Sequence, residues 1–248
     1  MNRPDDLFLD SQPPPVATAP LDDVCDSPRD PKPKELVLWP RAVVAGILGF
    51  VMLVYLSDTF SRPHHKSPDQ ARAVMNARQI ALALAEFRQE YGSYPGVESI
   101  DPVRQQFGTE WRLGEKTSND LFRQLLAAEM VTDEGVFYAK IKGAKKPDGV
   151  ISPAEALKKG ECAFAYFPGA RAEDSPERIL VAAPLIPGTD RFDPKPFDGK
   201  ALVLLLDGSV TFKWINNQGQ AVLGGRKLLD PGDPAWGGRP VVIAWPDL

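Results

Sequence analysis

The segment from Ala42 to Leu56, AVVAGILGFVMLVYL, constrains this chain more than any other feature, because it carries no charge and no polar stripe. A helix of this composition would be apolar on every side and would need lipid or a deep core around it. Apolar flanks, with Trp39 and Tyr55 near opposite ends, extend the segment toward the thickness of a bilayer. We therefore predict a transmembrane helix over residues 36–60, with a helix buried in a protein core as the alternative.

The basic residues around this segment predict its orientation. Four lie on its N-terminal side and two on its C-terminal side: Arg29, Lys32, Lys34 and Arg41, against Arg62 and Lys66. Because basic residues are enriched on the cytoplasmic side, the bias favours a cytoplasmic N-terminus. The sequence thus predicts a single-pass protein of the inner (cytoplasmic) membrane whose C-terminal domain is periplasmic.

Proline marks two connecting parts of the chain. Residues 1–35 are rich in Pro and Asp and lack periodic apolar positions, which is typical of a disordered or polyproline tail. Residues 61–68, SRPHHKSP, predict a short linker to a domain over residues 69–248. A proline-rich tail can also dock a cytoplasmic partner, so a transmembrane adaptor is an alternative function.

The start of the domain predicts an amphipathic helix. Apolar residues recur at steps of three and four, and we expect this stripe to face the core: Ala73, Ala77, Ile80, Leu84, Phe87 and Tyr91. Gly92 stands where a C-terminal cap belongs, and Pro95 prevents continuation. Glu86 and Glu90 are one turn apart, but they lie on the wet face and do not indicate catalysis.

The rest of the domain predicts two shorter helices and then strands. The helices are expected over Asn119–Met130 and over Ser152–Gly160. The strand candidates are Val136–Ile141, Cys162–Phe167, Ile179–Ile186, Ala201–Leu206, Ser209–Trp214 and Val241–Trp245. Asp207 and Gly208 predict a two-residue hairpin turn with positive backbone angles. The fold class is therefore α+β, with the amphipathic helix packed on an antiparallel sheet.

Two stretches resemble a known family. The helix end AFRQEYG followed by Ser93, Tyr94 and Pro95 is similar to the end of the long helix in type II secretion major pseudopilins. The hairpin that carries Asp207, Gly208, Ser209 and Val210 resembles the C-terminal "DGSV" ending of prepilin-type proteins. The resemblance implies a pilin-like domain with a role in assembling an envelope structure.

Little in the sequence points to catalysis. The two histidines, His64 and His65, are adjacent in the linker, so the domain cannot supply a Ser-His-Asp or Cys-His site, and a metal pair there is less plausible than a solvated linker. A net charge of −4 and the lack of a phosphate-binding glycine motif argue against nucleic acid and nucleotides. A periplasmic enzyme without histidine remains an alternative function.

One metal site is a candidate. Asp190, Asp193 and Asp198 cluster in a Pro- and Gly-containing loop, and oxygen ligands of this kind suit Ca²⁺. Major pseudopilins bind calcium in a C-terminal loop, so the resemblance implies the same; a turn-rich connector is the alternative. The leading hypothesis is a membrane-anchored, pseudopilin-like assembly protein that is not an enzyme, with protein partners and self-association, and with no cofactor other than calcium.

Overall fold

The computed structural model describes residues 67–248. The predicted tail, the predicted span over residues 36–60 and nearly all of the predicted linker lie outside the described residues. Three helices precede the sheet: α1 (Pro68–Tyr91), α2 (Ile100–Phe107) and α3 (Ser118–Ala127). Single 3-10 turns follow at Glu134–Phe137 and at Pro234–Trp236.

Helix α1 has well-defined ends. Its first turn is capped by the Ser67 hydroxyl, which accepts a hydrogen bond of 3.2 Å from the N–H of Gln70, and Pro68 occupies the first helical position, where no donor is needed. At the other end, Gly92 has a φ of +74°, a conformation that costs glycine nothing. These local signals explain where the 24 residues of α1 begin and end.

The sheet is a six-stranded antiparallel meander in which each strand pairs with the next along the chain. Its strands are β1 (Ala165–Tyr166), β2 (Ile179–Ala183), β3 (Lys200–Leu205), β4 (Val210–Ile215), β5 (Ala221–Leu223) and β6 (Arg226–Lys227). On the edge of β1 that faces away from β2, the backbone of Tyr166 pairs with Ala244, so a segment near the C-terminus lies along this edge of the sheet. Strand β2 is buried along its whole length, as expected for a strand covered on both faces.

Two apolar cores lie on opposite faces of the sheet. The core on the helix side joins Ile80, Leu84 and Phe87 of α1 to Leu202 and Leu204 of β3. The core on the other face contains these residues, among others: Phe167, Phe192, Ala201, Val203 and Trp236. Alternate residues of β3 therefore enter different cores, and residues after β6 cover the second one.

The turn between β3 and β4 differs in type from the prediction. Gly208 has a φ of +82°, whereas Asp207 is not among the described residues with positive φ. The N–H of Gly208 donates to the carbonyl oxygen of Leu205 (3.0 Å), and the N–H of Leu205 donates to that of Ser209 (2.9 Å). This pattern is a three-residue loop in which glycine alone needs the left-handed conformation.

The predicted fold class, an N-terminal transmembrane helix followed by a pilin-like α+β domain, is wrong for this structure. The described chain forms a curled six-stranded antiparallel sheet with three helices. Within residues 67–248, no helix combines the length and the apolar character needed to cross a membrane. The same finding overturns the predicted localisation as a single-pass inner-membrane protein. Helix α1 is long enough, but it carries charged side chains such as Arg78 and Glu86 on its outer face.

Several smaller predictions also need correction. Val136–Ile141 is not a strand; a 3-10 turn occupies its start because the Asp133 carboxylate caps the N–H of Gly135 at 2.8 Å. Ser152–Gly160 forms turns rather than a helix, and Val241–Trp245 contributes a single bridge at Ala244. Helix α2 and strands β5 and β6 were not predicted from the sequence.

Candidate functional site

The outer face of α1 exposes two large apolar side chains. Met75 is 61% exposed and Leu82 is 72% exposed, the highest value for a large apolar side chain among the described residues. The two residues are two helical turns apart and therefore lie on one face. Burial of such a side chain is worth roughly 1.5–3 kcal/mol, so this face would gain from a partner.

A cleft runs beside this face of α1. It consists of two adjoining cavities of about 680 and 330 Å³, which share Gln79, Asp133 and Val136 as lining residues. The wall opposite α1 consists of the segment of residues 130–138 and, beside the larger cavity, of Lys146, Pro147 and Gly149. Asn76 holds this wall in place, because its Nδ2 donates hydrogen bonds to the carbonyl oxygens of Gly135 (2.8 Å) and Tyr138 (2.7 Å). We call the cleft together with Met75 and Leu82 the α1 groove.

Charges along the outer face of α1 are separated by sign. Arg72 and Arg78 lie in the N-terminal half, and Glu86 and Glu90 lie in the C-terminal half. Asp69 does not disturb this polarity, because Lys140 forms an ion pair with it at 3.0 Å. The outer face of α1 is thus basic toward its N-terminus and acidic toward its C-terminus, and Asp133 adds a carboxylate where the two cavities of the α1 groove adjoin.

The stripe predicted to face the core lies where α1 meets the sheet. Ala73, Ala77, Ile80, Leu84 and Phe87 are each at most 1% exposed. Tyr91 is half-buried, and its ring stacks on Phe87 with the centroids 4.4 Å apart. The inner and outer faces of α1 therefore have separate roles, since one builds the core and the other borders the α1 groove.

The three aspartates predicted to bind calcium have separate partners. Asp198 accepts a hydrogen bond from Gln70 (2.7 Å), Asp193 from the N–H of Lys195 (3.0 Å), and Asp190 from Gln220 (3.5 Å). Their oxygens do not form a metal-sized cluster among residues 67–248. Calcium at these three residues stays a prediction.

A different acidic cluster was missed by the sequence reasoning. One carboxylate oxygen from each of Glu134, Asp148 and Glu161 lies within 4.8 Å of the other two. We call these residues the acidic triad. Glu134 and Glu161 are buried, with 0% and 6% exposure, whereas Asp148 is exposed. The residues come from three separate loops at no regular spacing, so no local pattern in the sequence could have grouped them.

Comparisons of the chain with family models, with curated proteins and with solved structures find no match. The resemblance to pseudopilins therefore stays a prediction. The three strongest features are the α1 groove, the acidic triad and the buried thiol of Cys162.

Cys162 is placed as a packing residue rather than as a nucleophile. It is fully buried, and burial raises its pKa to about 11, although contacts with Ser118 (3.5 Å) and with the carbonyl oxygen of Phe164 (3.4 Å) oppose the rise. Since the thiolate is the reactive form, this side chain is unreactive at neutral pH. The described residues include no histidine that could activate it.

Proposed function

We propose that the described domain is a self-associating assembly module in which α1 of one copy packs antiparallel against α1 of a second copy. The observation that carries the proposal is the pair of exposed apolar residues, Met75 and Leu82, on a face whose charges change sign along its length. The pseudopilin resemblance, with its implied role in an envelope assembly, is in keeping with a structural role of this kind.

The spacing on α1 supports a two-fold arrangement. If two antiparallel helices cross at Gln79, Arg72 of each copy faces Glu86 of the other, and Met75 of each copy lies within one residue of the position that faces Leu82 of the other. A two-fold axis uses the same patch twice, so the patch must be complementary to itself. The charge pattern of α1 supports this arrangement through one pair, because Arg72 of each copy lies opposite Glu86 of the other, whereas the two copies of Arg78 meet beside the axis.

The dimensions of the α1 groove fit a helix. The stretch from Pro68 to Glu86 is about 27 Å long at 1.5 Å per residue. An amphipathic helix that enters a groove typically makes contacts at steps of three, four and seven residues, which matches the spacing of Met75, Gln79 and Leu82. Because only four apolar side chains become buried and they must outweigh the cost of association, we expect weak association, with a dissociation constant on the order of 100 µM.

Association can be tested by sedimentation velocity of the full-length chain over about 1–200 µM. We expect Leu82→Glu to weaken association at least about tenfold, the equivalent of roughly 1.4 kcal/mol. Val97→Glu is the matched control, since Val97 is also exposed (59%) but does not line the groove. Equal association of the two variants, or a monomeric wild type throughout this range, would overturn the proposal.

The register has its own test. Arg72→Glu and Glu86→Arg should each weaken association, because each places like charges opposite one another, and the double variant should restore it. In a Cys25→Ser background, Gln79→Cys should form a disulfide-linked dimer, whereas Gln89→Cys should not, since two copies of residue 89 would lie about 30 Å apart. Crosslinking at both positions alike, or failure of the double variant to recover, would rule out this arrangement.

A further inference from the structure

The acidic triad brings three loops together at one point. Glu134 starts the 3-10 turn after Asp133, Asp148 lies just before Gly149, and Glu161 follows Gly160. The nearest oxygens of the three carboxylates lie within 4.8 Å of one another. Two oxygens that bind one Ca²⁺ ion at about 2.4 Å are at most about 4.8 Å apart, so the cluster has the size of a calcium shell.

Hydrogen bonds satisfy most oxygens of the triad but leave one without a partner. Glu134 Oε1 accepts from the N–H of Leu157 (2.6 Å), and Glu161 Oε2 accepts from the N–H of Lys158 (2.6 Å). Glu161 Oε1 and Asp148 Oδ1 accept from backbone N–H groups at 3.3 and 2.9 Å. Glu134 Oε2 is buried, and no hydrogen bond of normal geometry reaches it. A buried carboxylate oxygen without a partner is rare in folded proteins, and a bound cation is one arrangement that satisfies it.

The charges around the triad are not balanced by the protein. Among residues 67–248, Lys158 forms an ion pair with the triad, 2.9 Å from Asp148, but its ammonium also pairs with Glu155 at 2.5 Å. Burial raises the pKa of Glu134, and the charges of Glu161 and Asp148 add to the rise, whereas the N–H groups of Leu157 and Gly149 act in the opposite direction. The carboxylates of the triad thus repel one another around Glu134, whose Oε2 has no hydrogen bond of normal geometry.

We propose that Glu134, Asp148 and Glu161 bind one Ca²⁺ ion, with the free Oε2 of Glu134 as a ligand. All three residues offer hard oxygen ligands, which suit Ca²⁺ and exclude soft metals. Calcium tolerates irregular geometry, whereas Mg²⁺ demands a near-ideal octahedron and keeps most of its waters, so Ca²⁺ fits loops of unrelated geometry better. The ion links the three loops and relieves the repulsion among the carboxylates. This site is separate from the aspartates at positions 190, 193 and 198.

The test is thermal unfolding of the EDTA-treated, full-length protein during titration with CaCl₂, with NaCl of equal ionic strength as the reference. We expect a saturable rise in melting temperature with a midpoint on the order of 0.1–1 mM, as in weak calcium modules. Calorimetric titration with CaCl₂ should give the same midpoint, and MgCl₂ should give a clearly smaller rise at equal concentration.

Three variants locate the ion. Glu134→Gln and Glu161→Gln should each abolish the calcium response, and either one suffices if the other fails to fold. Glu155→Gln is the matched control, because Glu155 pairs with the same lysine but does not belong to the triad. The proposal is overturned by a wild type that does not respond to CaCl₂, by an equal response to MgCl₂, or by a Glu134→Gln protein that responds as the control does.

Discussion

Gln70 donates a hydrogen bond of 2.7 Å to Oδ2 of Asp198, and this bond joins the first turn of α1 to the loop that precedes β3. Gln70 is buried at 4% exposure. Asp198 has a φ of +53°, a backbone region that residues with a Cβ atom enter at a cost. The start of the long helix is therefore held on the sheet by a residue in a strained conformation.

This relationship predicts different effects for two substitutions at position 198. Asp198→Ala should lower the free energy of unfolding by about 2 kcal/mol, because alanine tolerates positive φ poorly and cannot accept the hydrogen bond from Gln70. Asp198→Asn should cost about 0.5 kcal/mol or less, since asparagine tolerates this conformation and keeps an acceptor oxygen. Urea unfolding of both variants checks the prediction, and equal losses would contradict it.

Asp174 is the shared partner of two arginines on the second face of the sheet. Its side chain is 9% exposed, it lies 3.0 Å from the buried Arg178, and it accepts a short hydrogen bond from Arg239. Asp174→Ala leaves the charge of Arg178 buried without a counter-ion, so we expect a loss of about 3–5 kcal/mol. Asp69→Ala is the control, because its partner Lys140 is exposed and such pairs contribute about 1 kcal/mol or less. Similar losses in urea unfolding would show that burial of the pair does not matter.

The same carboxylate predicts acid sensitivity. Burial alone would raise the pKa of Asp174, but hydrogen bonds from Arg239 and from the N–H of Arg171, with the charges of Arg178 and Arg239, hold it below its ordinary value of 3.8. A lowered pKa contributes stability above pH 3.8 that is lost as the pH falls through the folded-state pKa. Asp174→Asn should lack this loss. The free energies of unfolding of the wild type and of Asp174→Asn, measured between pH 5 and 2.5, should therefore converge as the pH falls. A constant difference between them would refute the assignment.

Glu134 predicts the opposite pH dependence when calcium is removed. Burial raises its pKa above the ordinary value of 4.5, with Glu161 and Asp148 as neighbouring acids and Lys158 as the neighbouring base. A carboxyl group whose pKa is raised by folding contributes stability that is fully present below about pH 4.5. This contribution is lost as the pH rises through the folded-state pKa. In EDTA, the free energy of unfolding of Glu134→Gln should therefore rise relative to that of the wild type as the pH increases from 4.5 to 7.5. A difference that stays constant over this range would contradict the prediction.

The thiol of Cys162 should resist modification in the folded protein. It is fully buried and its pKa is raised to about 11, so little thiolate forms at pH 8. In a Cys25→Ser background, we expect reaction with a thiol reagent such as dithionitrobenzoate to occur at the rate of global unfolding and to accelerate in urea. Full labelling within seconds in native buffer would show that Cys162 is accessible.

Local patterns located the elements whose geometry is set by neighbouring residues. The apolar stripe of α1 and its glycine cap lie where the sequence places them, and so does the β3–β4 hairpin. The C-terminal segment was misread because Val241–Trp245 resembles a strand, whereas Pro240 and Pro246 on either side limit its pairing to one bridge at Ala244.

The functional features were harder to predict because they depend on distant parts of the chain. Leu82 shares a largely polar helix face with Met75, and the sequence alone does not show that segment 130–138 stands beside it. Glu134 and Glu161 are far apart in the sequence, and only the packing of their loops buries them together. The transmembrane prediction used the apolar run, its aromatic flanks and the basic residues around it, and it concerned residues outside the described part.

The bridge between Tyr166 and Ala244 has a consequence for synthesis. Their backbones exchange two hydrogen bonds, of 2.9 and 2.8 Å, and these close the β1 edge of the sheet. During translation, β1 leaves the ribosome long before Ala244 does, so this edge has no partner while the last strands are being made. Exposed strand edges are prone to pair with other chains, and we expect chaperones to hold the nascent domain at this stage.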